Sequence, residues 1–499
     1  MQDLKIWEDK IKEKRKKTNF RDFVKEICSW QPLSFYNIDG KVSRYPKSNR
    51  IKIIDDLEFN KKATEQLEKG DLINGANFLK LLSNLWLENG LPRLWHFWET
   101  ENSTYSETVG AVKNAYLTHL SFYAENILYS FGVSGNAKNV LNSSLVVNNS
   151  QEVYNSVGII NSYKIFYSKC IIDSNNIWFS TNLIGCQECI LCDDLQNQSF
   201  CIKNIKYEKS EYFEKKKEVL KYKKLFSKYS EILSNVGKNI NSSNLINSSF
   251  STFCENLENS NYVYQIKNGR NLLLAGNFSG KEGISENIYD NFTTSLNSFD
   301  IYGGMGTSPG DNGYCNINSG DFSHIYYSGF LFNCSFCLGC IGLKNKSFCI
   351  LNKEYEKSEW YELANKIFAQ MDSDGILGDF FPGSLNPFYF NDTMAYLIDD
   401  SFTKEEVEKD GYMWRDEKIK VDIPENSEIV EVKDLNNFQG YDSNGNWFIN
   451  PEIMKKVIQD KNGNIYKIVK MEYDFLMKHG LPLPEIHWLD RIKMGFKFN

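Results

Sequence analysis

The segment Val153-Tyr-Asn-Ser156 recurs with small changes every 12 or 13 residues along the chain. The full series is Ile127-Leu-Tyr-Ser130, Val140-Leu-Asn-Ser143, Val153-Tyr-Asn-Ser156, Ile165-Phe-Tyr-Ser168, Ile177-Trp-Phe-Ser180 and Cys189-Ile-Leu-Cys192. A second apolar column keeps step with this series, at Val133, Val146, Ile159, Ile171, Leu183 and Leu195. Both columns hold their register over six repeats.

This short period is typical of a β-solenoid. Strand-forming residues separated by Asn, Ser and Gly recur at a fixed distance because each coil must place the same type of residue in the same inward position. One period corresponds either to a whole small coil or to half of a coil of about 25 residues. The sequence leaves both alternatives open.

A duplication accompanies the periodicity. Residues 186–213 align without a gap with residues 334–361, and 15 of the 28 aligned positions are identical. The shared sequence motif is C-x2-C-x2-C-x8-C-I-x-N-x2-Y-E-K-S-E. In both copies the motif continues into a segment typical of a helix. We therefore predict two tandem β-solenoid lobes, each followed by a helix that covers the open edge of its last coil.

The predicted fold class is mainly β with helices. Its parts are, in order, a mainly helical N-terminal region (1–115), the first β-solenoid lobe (116–207), a capping helix (208–235), an Asn/Ser-rich linker (236–262), the second lobe (263–355), a second capping helix (356–372) and an α+β C-terminal region (373–499). The Gly-rich stretch 303–313 is predicted to be a loop that leaves the second stack. Two Asn-Gly turns, at Asn444 and Asn462, predict small hairpins in the last region.

The composition excludes several classes of protein. A content of 41% hydrophobic and 24% charged residues excludes a wholly disordered chain, and a net charge of −7 argues against a protein that coats DNA or another polyanion. The N-terminus carries charges from its third residue and no apolar signal core, and no apolar run is long enough to cross a bilayer. We therefore expect a cytoplasmic protein without a membrane partner.

Two cysteine clusters are the sharpest chemical signal. They contain eight of the 12 cysteines: Cys186, Cys189, Cys192, Cys201, Cys334, Cys337, Cys340 and Cys349. Four thiols in each cluster would suit tetrahedral Zn²⁺, and a disulfide or redox pair is another alternative. Cys192 falls in the Ser column, however, and Cys189 and Cys201 lie one period apart in the apolar column. This register favours a ladder of small apolar side chains inside the solenoid.

The remaining polar residues give weaker signals. The five histidines have no partner at ligand spacing, and His479 precedes Gly480 at an expected helix end. The acidic pair Asp193-Asp194 could imitate a glycosidase site, but adjacent acids on a strand point to opposite faces. Lys-rich helices at 10–17 and 215–224 are interleaved with acids, so a solvated face is preferred over nucleic-acid binding. We predict no catalytic residue and no cofactor beyond the zinc alternative.

The chain also resembles a known group of proteins. The run Cys334–Tyr355, together with Gly378-Asp-Phe-Phe-Pro-Gly383 and Thr403-Lys-Glu-Glu406, resembles an uncharacterised family of Cys-rich, zinc-ribbon-containing proteins from metagenomic bacterial genomes. The resemblance covers roughly residues 75–425 and implies zinc ribbons that flank a periodic region. Asn464-Ile-Tyr-Lys-Ile468 resembles the frame of such a ribbon, but no Cys follows Cys349. The family carries no established activity.

These observations favour a non-enzymatic binding or scaffold protein that presents β-solenoid surfaces to an unidentified protein partner. The abundant aromatic residues, 28 Tyr, 34 Phe and 10 Trp, suit such surfaces, although cores use many of them. Two alternatives are an accessory component of a nucleic-acid-containing assembly, which would use the Lys-rich helices, and a carbohydrate-active enzyme built on a β-helix.

Overall fold

The structure is a computed structural model of the 499-residue chain. It describes residues 4–48, 50–65, 78–96, 99–221, 224–227, 242–252, 254–264, 267–276, 284–292, 297–307, 309–416 and 427–496. No helix in these ranges is long and apolar enough to span a bilayer.

Helices lie mainly outside the periodic segments. The α-helices are α1 (Lys5–Arg15), α2 (Phe20–Glu26), α3 (Asp56–Glu65), α4 (Phe78–Asn89), α5 (Lys209–Lys221), α6 (Lys224–Ser227), α7 (Lys357–Ser373), α8 (Met394–Ile398), α9 (Lys404–Lys409), α10 (Lys470–His479) and α11 (Trp488–Phe496). Short 3₁₀ helices span Cys28–Trp30, Gly383–Leu385, Phe390–Asp392, Val432–Asn437 and Pro451–Lys455.

The strands account for most of the remaining regular structure. They are β1 (Tyr36–Ile38), β2 (Lys41–Ser43), β3 (Ile53–Ile54), β4 (Leu91–Pro92), β5 (Tyr105–Leu128), β6 (Phe131–Val133), β7 (Lys138–Leu141), β8 (Ser144–Val147), β9 (Gln151–Tyr154), β10 (Val157–Ile160), β11 (Tyr163–Phe166), β12 (Lys169–Ile172), β13 (Asn175–Trp178), β14 (Thr181–Ile184), β15 (Gln187–Ile190), β16 (Asp193–Gln196), β17 (Ser199–Ile202), β18 (Ile205–Lys206), β19 (Ser243–Ile246), β20 (Ser249–Thr252), β21 (Glu255–Glu258), β22 (Asn261–Tyr264), β23 (Lys267–Gly276), β24 (Ser285–Phe292), β25 (Ser298–Met305), β26 (Gly310–Ile317), β27 (Gly320–Tyr326), β28 (Phe332–Leu338), β29 (Ser347–Ile350), β30 (Lys353–Glu354), β31 (Ile429–Glu431), β32 (Gln439–Tyr441), β33 (Trp447–Ile449), β34 (Val457–Gln459) and β35 (Ile465–Tyr466).

The chain divides into two compact units. Unit 1 comprises Met1–Trp95 and Gly237–Arg415, and unit 2 comprises His96–Val236 and Asp416–Asn499. Each unit therefore combines one solenoid with segments from another part of the sequence. The prediction of a mainly β fold with two solenoids, each followed by a helix, is confirmed.

The strand register shows that one period is one complete coil. In unit 2, Ile159 of β10 pairs with Ile171 of β12, and Ile165 of β11 pairs with Ile177 of β13, both in parallel. Since partners lie 12 residues apart, the alternative of a double-length coil is wrong. Even-numbered strands from β6 to β16 stack on one wall and odd-numbered strands from β7 to β17 stack on the other.

A triplet rhythm shapes each coil. In most coils of unit 2 every third residue has a left-handed backbone, as at Asn155 (φ 46°), Asn161 (φ 45°) and Lys164 (φ 58°). Asn and Asp tolerate this conformation better than most residues, which explains the many Asn residues of the solenoid. The inward positions also recur every third residue and alternate between aliphatic and small polar side chains, as at Ile159 and Ser162.

The inward serines form hydrogen-bonded ladders. Ser156 Oγ donates to the carbonyl oxygen of Tyr154 (2.9 Å) and accepts the N–H of Ser168 in the next coil (3.1 Å). The opposite ladder repeats this arrangement from Ser162 to Ser174 (3.1 Å). Because each of these hydroxyls both donates and accepts, the narrow core holds the serines with their hydrogen bonds satisfied.

Two boundaries differ from the sequence prediction. β5 begins at Tyr105, so solenoid structure starts before the predicted boundary at residue 116. The range 236–262, predicted as a linker, carries strands from β19 to β22 in its described part. Its Asn and Ser residues occupy coil positions of the same kind as those in unit 2, since Leu245 pairs with Leu257 twelve residues on.

The prediction of a loop at 303–313 is wrong. β25 and β26 run through this stretch and pair in parallel, with Ile301 opposite Gly313. The ring of Phe322 in the next coil takes the space beside the glycines: a Cβ on Gly310 or Gly313 would lie 2.5 or 2.9 Å from that ring. These glycines therefore compensate for a large inward side chain.

The ends of the two solenoids are built alike. β17 and β29 turn back into the antiparallel strands β18 and β30, and α5 and α7 follow. Tyr212 of α5 and Trp360 of α7 are fully buried, and Trp360 Nε1 donates to the carbonyl oxygen of Cys349 (3.1 Å). Residues 228–235 of the predicted first capping helix lie outside the described residues.

The C-terminal part of unit 2 contains both predicted hairpins. β32 pairs with β33 and β34 pairs with β35, each antiparallel and each around an Asn-Gly turn. Asp442 Oδ1 accepts the N–H of Asn444 (2.9 Å), and Asp460 Oδ1 accepts that of Asn462 (2.9 Å). These carboxylates thus close turns.

Candidate functional site

The first cysteine cluster lies inside the last coils of unit 2. Cys186, Cys189 and Cys192 occupy three successive inward positions, and Cys201 stacks on Cys189 in the next coil. All four thiols are free and buried. The backbone N–H groups of Cys186 and Cys192 donate to the serine hydroxyls of the preceding coil (both 3.0 Å), so these cysteines occupy serine-ladder positions.

The second cluster repeats this arrangement in unit 1. Cys334, Cys337 and Cys340 belong to the buried core, and Cys337 pairs in register with Cys349. The N–H of Cys340 donates to Ser328 Oγ (3.0 Å). The sequence prediction that places the thiols in the two columns is therefore matched by the register of both solenoids.

The thiols within each cluster lie close enough to shift one another's pKa. Contact with Cys192, followed by burial, raises the pKa of the Cys189 thiol. Contacts with Cys334, Cys340 and Cys349, together with burial, raise the pKa of Cys337 well above its usual value. The shifts run in both directions within each cluster, since contact with Cys189 lowers the pKa of Cys192 to about 7 and contact with Cys337 lowers that of Cys334. No group of three or more His, Cys, Asp or Glu among the described residues is placed to hold a metal ion.

Cys-to-Ser substitutions distinguish a buried core ladder from a metal site. We expect Cys192→Ser to change the unfolding free energy by less than about 1 kcal/mol, because serine fills the same ladder position one coil earlier. Cys189→Ser should destabilise by about 1–3 kcal/mol, because it places a hydroxyl in the apolar column. Urea unfolding measures both variants. Zinc near one equivalent per cluster in the chelator-free protein, lost in Cys192→Ser, would contradict the core interpretation.

His479, the last residue of α10, has a partner that the sequence did not reveal. Its Nε2 contacts Glu152 of the solenoid at 2.6 Å, and Lys478 Nζ contacts the same carboxylate at 2.7 Å. Burial raises the pKa of Glu152, but the hydrogen bonds from His479 and Lys478 outweigh it and lower the pKa to about 2. This pairing fixes α10 on the solenoid wall of unit 2.

His487 gives unit 2 a dependence on pH. Burial, with the nearby Arg491 guanidinium, lowers the pKa of this imidazole to about 4 against an opposing effect of Asp460. Its Nδ1 accepts the N–H of Leu489 (3.3 Å), which requires the unprotonated nitrogen. The stabilisation is therefore complete above pH 6.5 and is lost as the pH falls from 6.5 towards 4.

We expect unit 2 to lose about 2 kcal/mol of stability between pH 8 and pH 5 for this reason. Urea unfolding at several pH values, followed by tryptophan fluorescence, measures the loss. His487→Asn should flatten the curve in this window, while the contribution of Glu152 disappears only below pH 4.5. An unchanged slope in the variant would contradict the assignment to His487.

The remaining histidines and the acidic pair Asp193-Asp194 are buried or make local contacts. His96 Nε2 lies 3.1 Å from the carbonyl oxygen of Ser106, and His324 stacks on Phe336 with ring centroids 4.7 Å apart. His119 is buried. Asp193 and Asp194 are exposed and contact the preceding coil, the latter through Asn182 Nδ2 (2.9 Å). These contacts do not combine the predicted residues into an acid/base pair.

Three lysines of helix α1, the first Lys-rich segment, pair with carboxylates of unit 1. Lys10, Lys12 and Lys14 lie 2.5, 3.6 and 2.6 Å from carboxylate oxygens of Asp372, Asp300 and Asp379 respectively. Arg15 is buried with Asp290 and Glu26. In α5, Lys215, Lys216 and Lys217 of the second segment pair with Glu211, Glu188 and Glu214 respectively.

A tyrosine ladder on the outer wall of unit 1 receives α1. Tyr289, Tyr302, Tyr314 and Tyr326 stack with neighbouring ring centroids 5.3, 5.8 and 5.2 Å apart and ring planes within about 6°. Lys12 Nζ lies over two of these rings, at 5.5 and 5.8 Å, and Lys16 Nζ lies over Tyr289 at 5.0 Å. This wall therefore binds lysine through aromatic faces and a carboxylate.

An open cleft of about 530 Å³ lies on the same solenoid, beside Asp300. Its lining residues are Asn297, Phe299, Asp300, Pro309, Gly310, Asp311, Asn312, Asp321 and Phe322. Phe299 is 38% exposed, and Phe322 reaches the cleft because Gly310 has no side chain. We refer to this cavity as the acidic cleft.

The acidic cleft was missed from the sequence. Its signal, three aspartates within 22 positions around a Gly-rich stretch, was hidden because that stretch was predicted to be a loop. Asp311 accepts a hydrogen bond from Asn312 Nδ2 (2.8 Å), and Asp300 faces Lys12.

Comparisons with known proteins add little to this description. No family model matches the chain, and none of the curated proteins matches it. A solved structure from Desulfovibrio desulfuricans G20, proposed to be an acetyltransferase, is 10% identical, and the alignment covers 62% of this chain and 81% of that chain. The TM-score is 0.11, which carries no argument about fold or function.

Proposed function

We propose that this protein is a non-enzymatic scaffold that binds a protein partner on the solenoid wall of unit 1. The observation that carries the proposal is the acidic cleft, an open cavity with three carboxylates and an exposed phenyl ring on a wall of regular parallel strands. Charged groups beside an aromatic anchor are typical of a binding surface for a macromolecule.

The neighbouring helix α1 supports this proposal. Lys12 brings its ammonium group to Asp300 and to the rings of Tyr302 and Tyr314, so the wall already holds one basic segment of the same chain. Asp300 also lines the acidic cleft, which continues this surface with further carboxylates. A partner with a basic side chain next to an apolar one would find the same chemistry there.

The negative charge of the acidic cleft argues against nucleic-acid binding on this wall. Phosphate groups of a nucleic acid would be repelled by Asp300, Asp311 and Asp321. The lysines of α1 contact carboxylates of unit 1, which leaves less positive charge for phosphate than the sequence suggested. A protein partner is therefore the better proposal for this wall.

The test is capture of partners by the tagged full-length protein from its own cells, with and without nuclease. We expect a stoichiometric protein that survives nuclease and whose affinity falls about tenfold or more in the double variant Asp311→Lys, Asp321→Lys. The matched control is Glu405→Lys with Glu408→Lys, which makes the same charge change on the exposed face of α9 and should leave binding unchanged.

Two results would overturn the proposal. One is a partner that binds the cleft variant as tightly as the parent. The other is recovery of nucleic acid alone, with binding that falls steeply as salt increases. Far-UV circular dichroism of each variant establishes that the fold is retained.

A further inference from the structure

The two solenoids end in the same way at the backbone but differ in what covers the end. In unit 2 the last strand on the even-numbered wall is β16, and its counterpart in the second copy lies at 341–344. We call these surfaces the unit 2 end and the unit 1 end. Their comparison within one chain shows how such an end is used.

An asparagine side chain closes each end against strand addition. Asn204 Oδ1 accepts the N–H of Asp193 (2.9 Å), and its Nδ2 donates to the carbonyl oxygen of Asp193 (2.7 Å). Asn352 makes the same pair of bonds to Ile341, both at 2.8 Å. At this one residue the amide takes the place of a further strand, and the Asn is part of the duplicated motif.

Helix α3 covers the unit 1 end. A Cβ on Gly342 would lie 2.8 Å from the ring of Phe59, and Ala63 belongs to the buried core with the cysteine cluster. The carbonyl oxygen of Ala63 accepts a second hydrogen bond from Asn352 Nδ2 (3.3 Å). A helix with one aromatic and one small residue therefore completes this end.

The unit 2 end lacks such a cover within the described residues. The sequence predicts that the helix after the motif covers this edge, but α5 packs Tyr212 against Phe200 of β17 and leaves Asp193 and Asp194 of β16 exposed. Asp193, Asp194 and Asn204 are exposed, and Ile205 is 58% exposed. Leu195, which points inward, is only partly buried. Asp193 and Asp194 replace Ile341 and Gly342 of the second copy, so the exposed surface is acidic where the covered one is apolar.

We propose that the unit 2 end is a docking site for a basic helix of a partner protein. Three observations specify this occupant: α3 shows a helix on the end of this motif, Asn204 Nδ2 has a second hydrogen to donate to a helix carbonyl, and two carboxylates favour positive charge on the helix. Because Asp194 stands where Gly342 makes room for Phe59, the docked helix carries a small residue in place of that phenylalanine. Strand addition is opposed by the Asn204 cap, and a nucleic acid is repelled by the carboxylates. This surface is separate from the acidic cleft of unit 1.

The probe is a labelled, hydrocarbon-stapled peptide of residues 53–65 of this chain that carries Glu58→Lys, Phe59→Ala and Glu65→Lys. The alanine removes the ring that the Asp194 side chain would meet. The staple joins positions 57 and 61, since Leu57 is 88% exposed and Lys61 is also exposed in the bound helix. We expect the full-length protein to bind it with a Kd of about 10–100 μM in fluorescence anisotropy, as suits one short helix. The matched Phe59→Ala peptide, which retains both glutamates, should bind at least about fivefold more weakly.

Variants locate the binding on the full-length chain. The double variant Asp193→Lys, Asp194→Lys should weaken binding by about tenfold or more, whereas Asp474→Lys with Glu485→Lys, a matched charge change on exposed residues of the same unit, should not. Hydrogen exchange on the unsubstituted protein gives an independent readout: the peptide should protect 193–196 and leave 341–344 unchanged.

The proposal is overturned if the basic peptide does not bind, if it binds the Asp193→Lys, Asp194→Lys variant as well as the parent, or if protection appears elsewhere than at 193–196. None of these outcomes depends on the acidic cleft, so the two proposals stand or fall separately.

Discussion

Phe322→Ala is expected to destabilise unit 1 by about 3–5 kcal/mol, one of the largest effects of a single substitution in this unit. The Phe322 ring is 5% exposed and fills the space that Gly310 and Gly313 leave in the preceding coil. Loss of the ring opens a cavity in a narrow core that a single coil encloses at each level. Urea unfolding measures the change, and Phe299→Ala, at a partly exposed position, should cost less than about 1 kcal/mol.

A second substitution tests whether the Phe322 ring and the missing side chain of Gly313 compensate for each other in volume. Gly313→Val alone should destabilise by about 1–3 kcal/mol, because its Cβ would lie 2.9 Å from the Phe322 ring and 3.0 Å from Ile301 Cδ1. In the Phe322→Ala background the same valine should recover about 1–2 kcal/mol, since it fills the new cavity. If the losses of unfolding free energy of the two single variants simply add in the double variant, the proposed compensation between these residues is contradicted.

Glu472→Ala is expected to destabilise unit 2 by about 3–5 kcal/mol. Glu472 is fully buried in α10, and its Oε1 lies 3.0 Å from Arg491 Nη1, 3.2 Å from Tyr154 Oη and 3.2 Å from Asn142 Nδ2. The substitution leaves the guanidinium of Arg491, itself only 4% exposed, buried without this carboxylate. Thermal or urea unfolding followed by tryptophan fluorescence reports the loss.

Replacing both partners should be far milder. The variant Glu472→Leu, Arg491→Met removes both buried charges, and we expect it to recover at least half of the loss caused by Glu472→Ala. A double variant as unstable as Glu472→Ala would show that packing in α10 and α11, rather than the unpaired charge, causes the loss.

The sequence was sufficient for the solenoid because its inward positions carry a strong signal. Ile165, Ile177 and Cys189 recur at one distance, and the register of the strands stacks them in that order. The duplicated cysteine motif was also placed correctly at the end of each solenoid. The column register already favoured a core ladder for its cysteines. The asparagine cap followed only from the structure, because the hydrogen bonds of Asn204 depend on backbone positions that the sequence does not show.

Other features lay beyond sequence reasoning for physical reasons. The coil length depends on left-handed residues at every third position, and side chains as different as Tyr167 and Cys170 adopt that conformation. The strands within 236–262 were hidden because Asn and Ser signal both linkers and the corners of coils. Hydrogen bonds such as that between Glu152 and His479 join residues hundreds of positions apart in the sequence, which no local pattern indicates.

Because one coil is a closed turn of 12 residues, the length of such a chain can change in whole steps during evolution. Inserting or deleting one turn keeps every ladder continuous and alters the reach of the molecule by only about 4.8 Å, provided that the turn touches no docked helix. A single extra residue is also accommodated at a corner, as Asn148 and Asn149 show, both left-handed where neighbouring partners lie 13 residues apart. Such an architecture can acquire new surface spacing by duplication while its capped ends stay unchanged.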